Sequence, residues 1–313
     1  MVESINLDNW FPDYQTMQAI DQYLVSEWGI QYLYSFDQVA ELMHRIGRRR
    51  WSKFEELCKK QSEVLVTAAM ADFDIHALHV TQHRRTYMLD QIALTLELLQ
   101  RFQPTGPVID VGCQNGVLLK FLAQKVPNQL VGIDRSKQAI DAARTQLSGF
   151  ENVSLNVGLV PFKPDGKYAV TICHDVLHHI PADKQLSAMG SLFEPLNDGG
   201  IAIISSANMS NPEWWDAIYP AMQEHCVELL AAGRVGGAKS GGSIDIPDAY
   251  CSSATCIFRK TGRSPDLIDL QSMFDQYSNY YESFWYPYAL SASIPWNEKT
   301  YGFEAATRRK ASR

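Results

Sequence analysis

Val108-Ile109-Asp110-Val111-Gly112-Cys113-Gln114-Asn115-Gly116, followed by Val117-Leu118-Leu119, decides how this chain folds. A short β-branched, apolar run carries an acid, a turn with two glycines follows, and an apolar stretch of helical period begins. The reading is a buried strand, a tight turn and a helix. In an open α/β sheet, such a turn at the C-terminal end of a parallel strand, beside the reversal of strand order, is where a ligand binds. Glycine suits the turn because a side chain would hold ligand atoms away from the backbone.

Outward from this point the pattern repeats. Strands are expected at 107–111, 129–133, 152–157, 168–174 and 201–206, with helices at 115–125, 136–147 and 183–194. Alternation of this kind means βαβ units, hence an α/β fold with helices on both faces of a parallel sheet. The second strand ends at Asp134, 24 residues beyond Asp110. An acid in that place accepts the two hydroxyls of a ribose, a feature common to dinucleotide and S-adenosyl ligands.

Upstream, from Tyr14 to about Phe102, the apolar residues recur at helical spacing, as at Met88, Ile92, Leu96 and Leu99. Residues 1–103 are therefore read as an N-terminal helical cap and 104–313 as the core. After Ser206 the alternation stops. Asn211 to Ala232 reads as helical, 231–243 as a glycine-rich mobile loop, and 283–291 and 301–308 as two closing strands. The whole of 207–263 is read as an insertion that covers the substrate.

The 313 residues carry 28 Lys and Arg against 35 Asp and Glu, with 46% hydrophobic and 20% charged residues. That is sufficient for a large core and lacks the signature of disorder. Excess negative charge opposes a broad grip on phosphate backbone, so no nucleic-acid partner is expected. No signal segment opens the chain and no run approaches the ~20 apolar residues of a membrane span, so no membrane partner and a cytoplasmic location are expected. The six cysteines form no CxxC pair, which fits neither a disulfide framework nor a zinc finger. Oligomeric state is not legible in this text.

Four segments, VIDVGCQNG (108–116), GID (132–134), PF with PDGKYAVTICHDVLHHI (161–180) and EPLNDGGIAII (194–204), stand in an order and spacing that resemble the class I S-adenosylmethionine-dependent methyltransferases. A dinucleotide dehydrogenase would place GxGxxG near the start of its domain and has no reason to show VLHHI. The resemblance implies a Rossmann-like seven-stranded sheet, S-adenosyl-L-methionine as cofactor, and methyl transfer to a small organic acceptor, with O- or N-methylation favoured. It implies that Asp110 and the turn formed by Gly112, Cys113, Gln114 and Gly116 pack against the methionine part. Asp134 would take the ribose hydroxyls, Arg135 would lie beside the adenine, and Gly158 and Leu159 would edge it. His174 and Asp175 would sit close to the sulfonium. Two departures stand out: Gln114 replaces a common glycine, which a negative φ would accommodate, and Val157-Gly158 replaces an acid that often bonds the adenine amine. They keep open a non-catalytic or regulatory S-adenosyl-binding protein, or an enzyme that uses the sulfonium for other chemistry.

Methyl transfer to a hydroxyl or amine needs a group that removes a proton, and His178 and His179 are the candidates because imidazole titrates near neutral pH. Val176-Leu177-His178 is similar to the VLH segment of small-molecule O-methyltransferases, whose histidine is the base. The same text occurs where a histidine only caps or packs a helix start. His76, His79 and His83 share a helix face that is either metal-binding or simply polar, and no metal site is assigned. Trp214, Trp215, Tyr219 and Tyr250, with Tyr280 to Tyr286, are the aromatic residues from which an apolar or aromatic acceptor would draw its walls.

Overall fold

A computed structural model describes residues 85–163, 165–206, 212–235 and 253–265, with isolated residues between Glu41 and Asp74. Helix α1 (Arg85–Phe102) precedes strand β1 (Val108–Val111), α2 (Val117–Lys125), β2 (Leu130–Asp134), α3 (Lys137–Gln146) and β3 (Val153–Val157). Then come β4 (Tyr168–His174), a single 3₁₀ turn (Leu177–His179), α4 (Ala182–Phe193), β5 (Leu196–Ser206), α5 (Pro212–Glu224), β6 (Val227–Val235) and β7 (Ser253–Lys260).

The seven strands form one sheet in the order β3-β2-β1-β4-β5-β7-β6. All neighbours are parallel except β7, which runs antiparallel to both β5 and β6. β1 is buried along its whole length and β4 along all but its last residue, as expected of strands covered on both faces. The chain walks outward from β1 to β3 and then returns to the other side of β1 as β4. The reversal therefore lies between β1 and β4, and their C-terminal ends open a crevice there.

Each helix is set by local chemistry. Ser136 caps α3, its hydroxyl oxygen accepting from Ala139 N at 3.2 Å. α2 starts from Gly116 at φ 80°, and an added Cβ there would stand 2.6 Å from a Leu147 methyl. That glycine lets α2 and α3 approach. Ile92, Leu96, Leu98 and Leu99 of α1 belong to the same core as β1 and β4, so the end of the cap segment is built into the sheet's packing. Further upstream, Arg45 donates twice to Asp74, at 2.8 and 3.1 Å, and Gln138 of α3 donates to the same carboxylate at 3.5 Å.

Three expectations are corrected. β5 begins at Leu196 rather than 201, reaching back through Gly199 at φ 78° and a register shift opposite Tyr168 and Val170. The helix expected over 211–232 ends at Glu224, where Cys226 at φ 53° turns the chain. The helix-prone Leu-Leu-Ala-Ala that follows is strand β6, because pairing with β7 overrides local preference. Residues 231–235 of the expected glycine-rich loop thus belong to β6, and its remainder lies outside the described residues. The stretch 207–263 contains α5, β6 and β7 of the core sheet. The strands expected at 283–291 and 301–308 lie outside the described residues, as do His76, His79 and His83. Among the described residues, no helix is long and apolar enough to cross a membrane.

Candidate functional site

The C-terminal ends of β1, β2 and β4 surround a cavity of about 280 Å³. Its floor is the turn after β1. Gly112 N and Cys113 N both donate to Ile133 O, at 2.7 and 3.0 Å, which ties the turn to β2. Gly112 has φ 84°, and a Cβ on it would stand 2.2 Å from Val176 Cγ2. Glycine is therefore demanded twice, by conformation and by the close approach of the segment after β4. Gly132 plays a related part, since a Cβ there would meet Cys113 Sγ at 2.9 Å.

Gln114 does not take the negative φ that would accommodate it without strain; its φ is 50°. A left-handed conformation costs a non-glycine residue about 1–2 kcal/mol. The return is its backbone N–H, aimed at Asp134 Oδ2 at 3.0 Å, while Ser136 N donates to Asp134 Oδ1 at 2.8 Å. A hydrogen bond to a charged group contributes about 1.5–3 kcal/mol, which offsets the strain. Each carboxylate oxygen of Asp134 keeps a further lone pair for a ligand hydroxyl. Burial raises the pKa of this acid, and the two backbone donors oppose the rise.

Asp110 is 4% exposed and carries no ion pair among the described residues. Burial first, and the charge of Asp134 second, push its carboxyl up from the usual 3.8 to about 7. Asn115, in the turn that follows, is 3% exposed and its amide oxygen is buried without a hydrogen-bond partner among the described residues. The Cys113 thiol is also buried and raised well above its ordinary value, which makes it a packing group rather than a nucleophile.

Of the cofactor residues inferred from sequence, Asp110, Gly112, Cys113, Gln114, Asp134 and Arg135 line the cavity, as do Gly158, Leu159, His174 and Asp175. Gly116 does not; it serves the contact of α2 with α3. The two histidines separate. His179 is on the cavity wall, whereas His178 is not, its Nδ1 lying 3.5 Å from Ser206 Oγ. Their rings are 4.0 Å apart and tilted by 51°. Trp214 and Tyr219 are held elsewhere, Trp214 Nε1 donating to Gln185 Oε1 at 2.8 Å and the Tyr219 hydroxyl to Pro265 O at 3.0 Å, and neither lines the cavity. The other aromatic side chains named from sequence lie outside the described residues.

Several lining residues were not anticipated. Gln91 of α1 is 3% exposed and donates from Nε2 to Asp175 Oδ2 at 3.4 Å. Lys184, in the first turn of α4, reaches the same cavity. A glutamine and a lysine on helices carry no motif, so only the fold reveals them. His174 is bonded through both ring nitrogens, and burial lowers its pKa from 6.5 to about 4. Among the described residues, no group of three or more His, Cys, Asp or Glu could hold a metal ion.

Comparison with known proteins extends this picture. Residues 80–230 match a family model described as a methyltransferase domain, a span that takes in α1 and begins ahead of the boundary at 103. The chain is 31% identical over 138 residues to trans-aconitate 2-methyltransferase of Sinorhizobium fredii, covering 43% of this chain and 49% of that one. It is 27% identical over 124 residues to carboxy-S-adenosyl-L-methionine synthase of Trichodesmium erythraeum, covering 37% and 49%. The chain thus spans about half the length of these curated relatives. Among solved structures, magnesium protoporphyrin IX methyltransferase of Synechocystis, with bound SAM, superposes at a TM-score of 0.50 and 17% identity, covering 64% of this chain and 97% of that one. That likeness shows the fold.

Proposed function

Because residues 80–230 carry a domain of the class I S-adenosylmethionine-dependent methyltransferase family, we propose that the protein binds S-adenosyl-L-methionine across the C-terminal edge of β1, β2 and β4 and transfers its methyl group to a small-molecule acceptor. The observation that carries the reading is the buried pair of acids at the reversal of strand order: Asp110, 4% exposed and without an ion pair among the described residues, and Asp134, held on two backbone donors. A ligand with a cationic methionine end and a ribose satisfies both, and the orphaned Asn115 amide oxygen accepts from an ammonium at the same end. When bound, the cofactor supplies the methyl group on an electrophilic sulfonium.

The chain's own residues then have distinct tasks. Asp134 takes the ribose hydroxyls through its remaining lone pairs, and Gly158 with Leu159 borders the adenine. Asp110 neutralises positive charge at the methionine end. Gln91 and Asp175 flank the opening towards the acceptor, and His179, the member of the 178–179 pair that lines the cavity, is placed to take the proton released by a hydroxyl or amine. Ile92, Val117, Ile180 and Pro181 make most of the remaining wall apolar, which supports an acceptor with an apolar or aromatic body and excludes water from the transfer.

Calorimetric titration with S-adenosylhomocysteine tests the cofactor, and incubation of methyl-labelled cofactor with a metabolite extract tests the transfer. Binding followed by a labelled small product is expected. No binding at millimolar ligand overturns the reading. The carboxy-S-adenosyl-L-methionine synthase relative supports a second one, chemistry on the sulfonium cofactor without methyl transfer, and product analysis lacking S-adenosylhomocysteine would select it. Binding with no turnover of any kind would select a regulatory role.

A further inference from the structure

We propose that Thr95, Ser205 and Thr255 are positioning residues, a clamp of three hydroxyls that fixes the His174 imidazole against the cavity as an uncharged wall and withholds it from proton transfer. The inference rests on the reading that a sulfonium ligand occupies this cavity. His174 Nδ1 lies 2.7 Å from Ser205 Oγ and its Nε2 lies 2.9 Å from Thr95 Oγ1. Ser205 Oγ continues to Thr255 Oγ1 at 2.8 Å. The three hydroxyl residues are fully buried, and they come from α1, β5 and β7, while the imidazole comes from the tip of β4. Three elements thus meet at the ring, and a fourth, β7, backs the Ser205 hydroxyl.

A neutral imidazole has one N–H and one bare nitrogen, so the chain of hydroxyls must run in a single direction through it. Both directions satisfy every bond, but each requires one definite tautomer. A freely rotating ring satisfies neither. The charge state follows from the same geometry. Both ring partners are hydroxyls and not carboxylates, and the acid whose field reaches the ring is Asp175, the next residue in the chain. α1 and β5 present Thr95 and Ser205 to the ring, and β7 presents Thr255 to Ser205, all three uncharged. A cationic ring here would be buried beside a cationic ligand, and a loosened ring would swing into the ligand's space. The clamp prevents both. It also sets His174 apart from His179, which leaves one cavity histidine among the described residues available for proton transfer.

Selective ¹⁵N labelling of histidine, with His174 assigned by loss of its signals in His174→Gln, reads the tautomer directly, and no cofactor is needed. The expected result is one tautomer with nitrogen shifts that do not move between about pH 8 and about pH 5.5. Thr95→Val and Ser205→Ala should each move the ring nitrogens toward averaged values, and Thr95→Ser should restore them. Affinity for S-adenosylhomocysteine should fall about tenfold in Thr95→Val and return in Thr95→Ser. A merely structural role would lower the melting temperature of the variants yet leave the tautomer and the affinity unchanged. Unshifted ring nitrogens in both variants, or a wild-type His174 that titrates near its ordinary value, overturn the clamp. If wild type fails to bind S-adenosylhomocysteine, the cofactor reading falls while the nitrogen shifts still decide whether the clamp exists.

Discussion

Replacing Asp110 with asparagine removes a titrating group and keeps its shape, and the buried site converts that into two opposite effects. The carboxyl is raised from 3.8 to about 7, chiefly by burial, so the folded protein holds this proton across a range in which the unfolded chain has lost it. Stability from this residue is therefore complete below about pH 3.8, falls as pH rises, and is lost once pH passes about 7. The span corresponds to about 4 kcal/mol at 1.36 kcal/mol for each unit. Asp110→Asn should match wild type to within about 1 kcal/mol near pH 4 and exceed it by up to about 4 kcal/mol at pH 8, read by urea unfolding. His174, lowered to about 4 by burial, destabilises both proteins equally as pH falls below 6.5 and cancels from the difference. Binding should move the other way. The ligand's ammonium selects the ionised carboxylate, so affinity of wild type for S-adenosylhomocysteine should rise as pH passes through about 7, by up to tenfold per unit below that point. The variant should bind at least tenfold more weakly at pH 8 with no such rise, the loss of a charge-assisted contact. Parallel unfolding profiles of the two proteins, or equal affinities at pH 8, would refute the assignment of Asp110 as a buried acid that waits for a cation.

Other outcomes follow from the same geometry. Asp134→Ala should weaken S-adenosylhomocysteine at least tenfold by removing an acceptor for two ribose hydroxyls, and calorimetry showing an unchanged dissociation constant would mean that the ribose lies elsewhere. Gly112→Ala should cost about 2 kcal/mol or more in unfolding experiments, because φ 84° strains any side chain and the new Cβ meets Val176. Adding Val176→Ala should return the part due to the clash but not the part due to φ, and full recovery would show that conformation is no constraint. His179→Gln should lower turnover about 100-fold with little change in cofactor binding, whereas His178→Gln should have a much smaller effect, since its ring faces Ser206. Equal losses in single-turnover assays would show that the two rings act as one unit.

The sheet was legible at β1 and β4, which are covered on both faces and read as nearly uninterrupted apolar runs. Tyr168–His174 was placed to the residue on that ground. It failed at β6, whose Leu-Leu-Ala-Ala text favours a helix and is made a strand by β7, a partner some 25 residues away in the chain. Pairing across such a distance leaves no local trace. With β6 and β7 unrecognised, 207–263 was read without the two sheet strands it contains.

The site divides in a similar way. Gly112, Asp110 and Asp134 were legible because backbone conformation and buried charge restrict the residues that can stand there. Gln114 was legible as an exception but not in its geometry, since only the fold shows that its positive φ aims a backbone donor at Asp134. Thr95, Ser205 and Thr255 were not legible at all. Serine and threonine are ordinary in helices and strands, and nothing in the text near each residue marks a hydroxyl that points at a histidine on another element. Burial gives these hydroxyls their weight. At a surface each could exchange its partner for water, but at 0% exposure a missing partner leaves a bare polar atom. Losing the Thr95 or Ser205 hydroxyl strands a ring nitrogen of His174, and losing that of Thr255 takes a partner from Ser205. This is why single conservative substitutions such as Thr95→Val should be felt at the cavity, one side chain away.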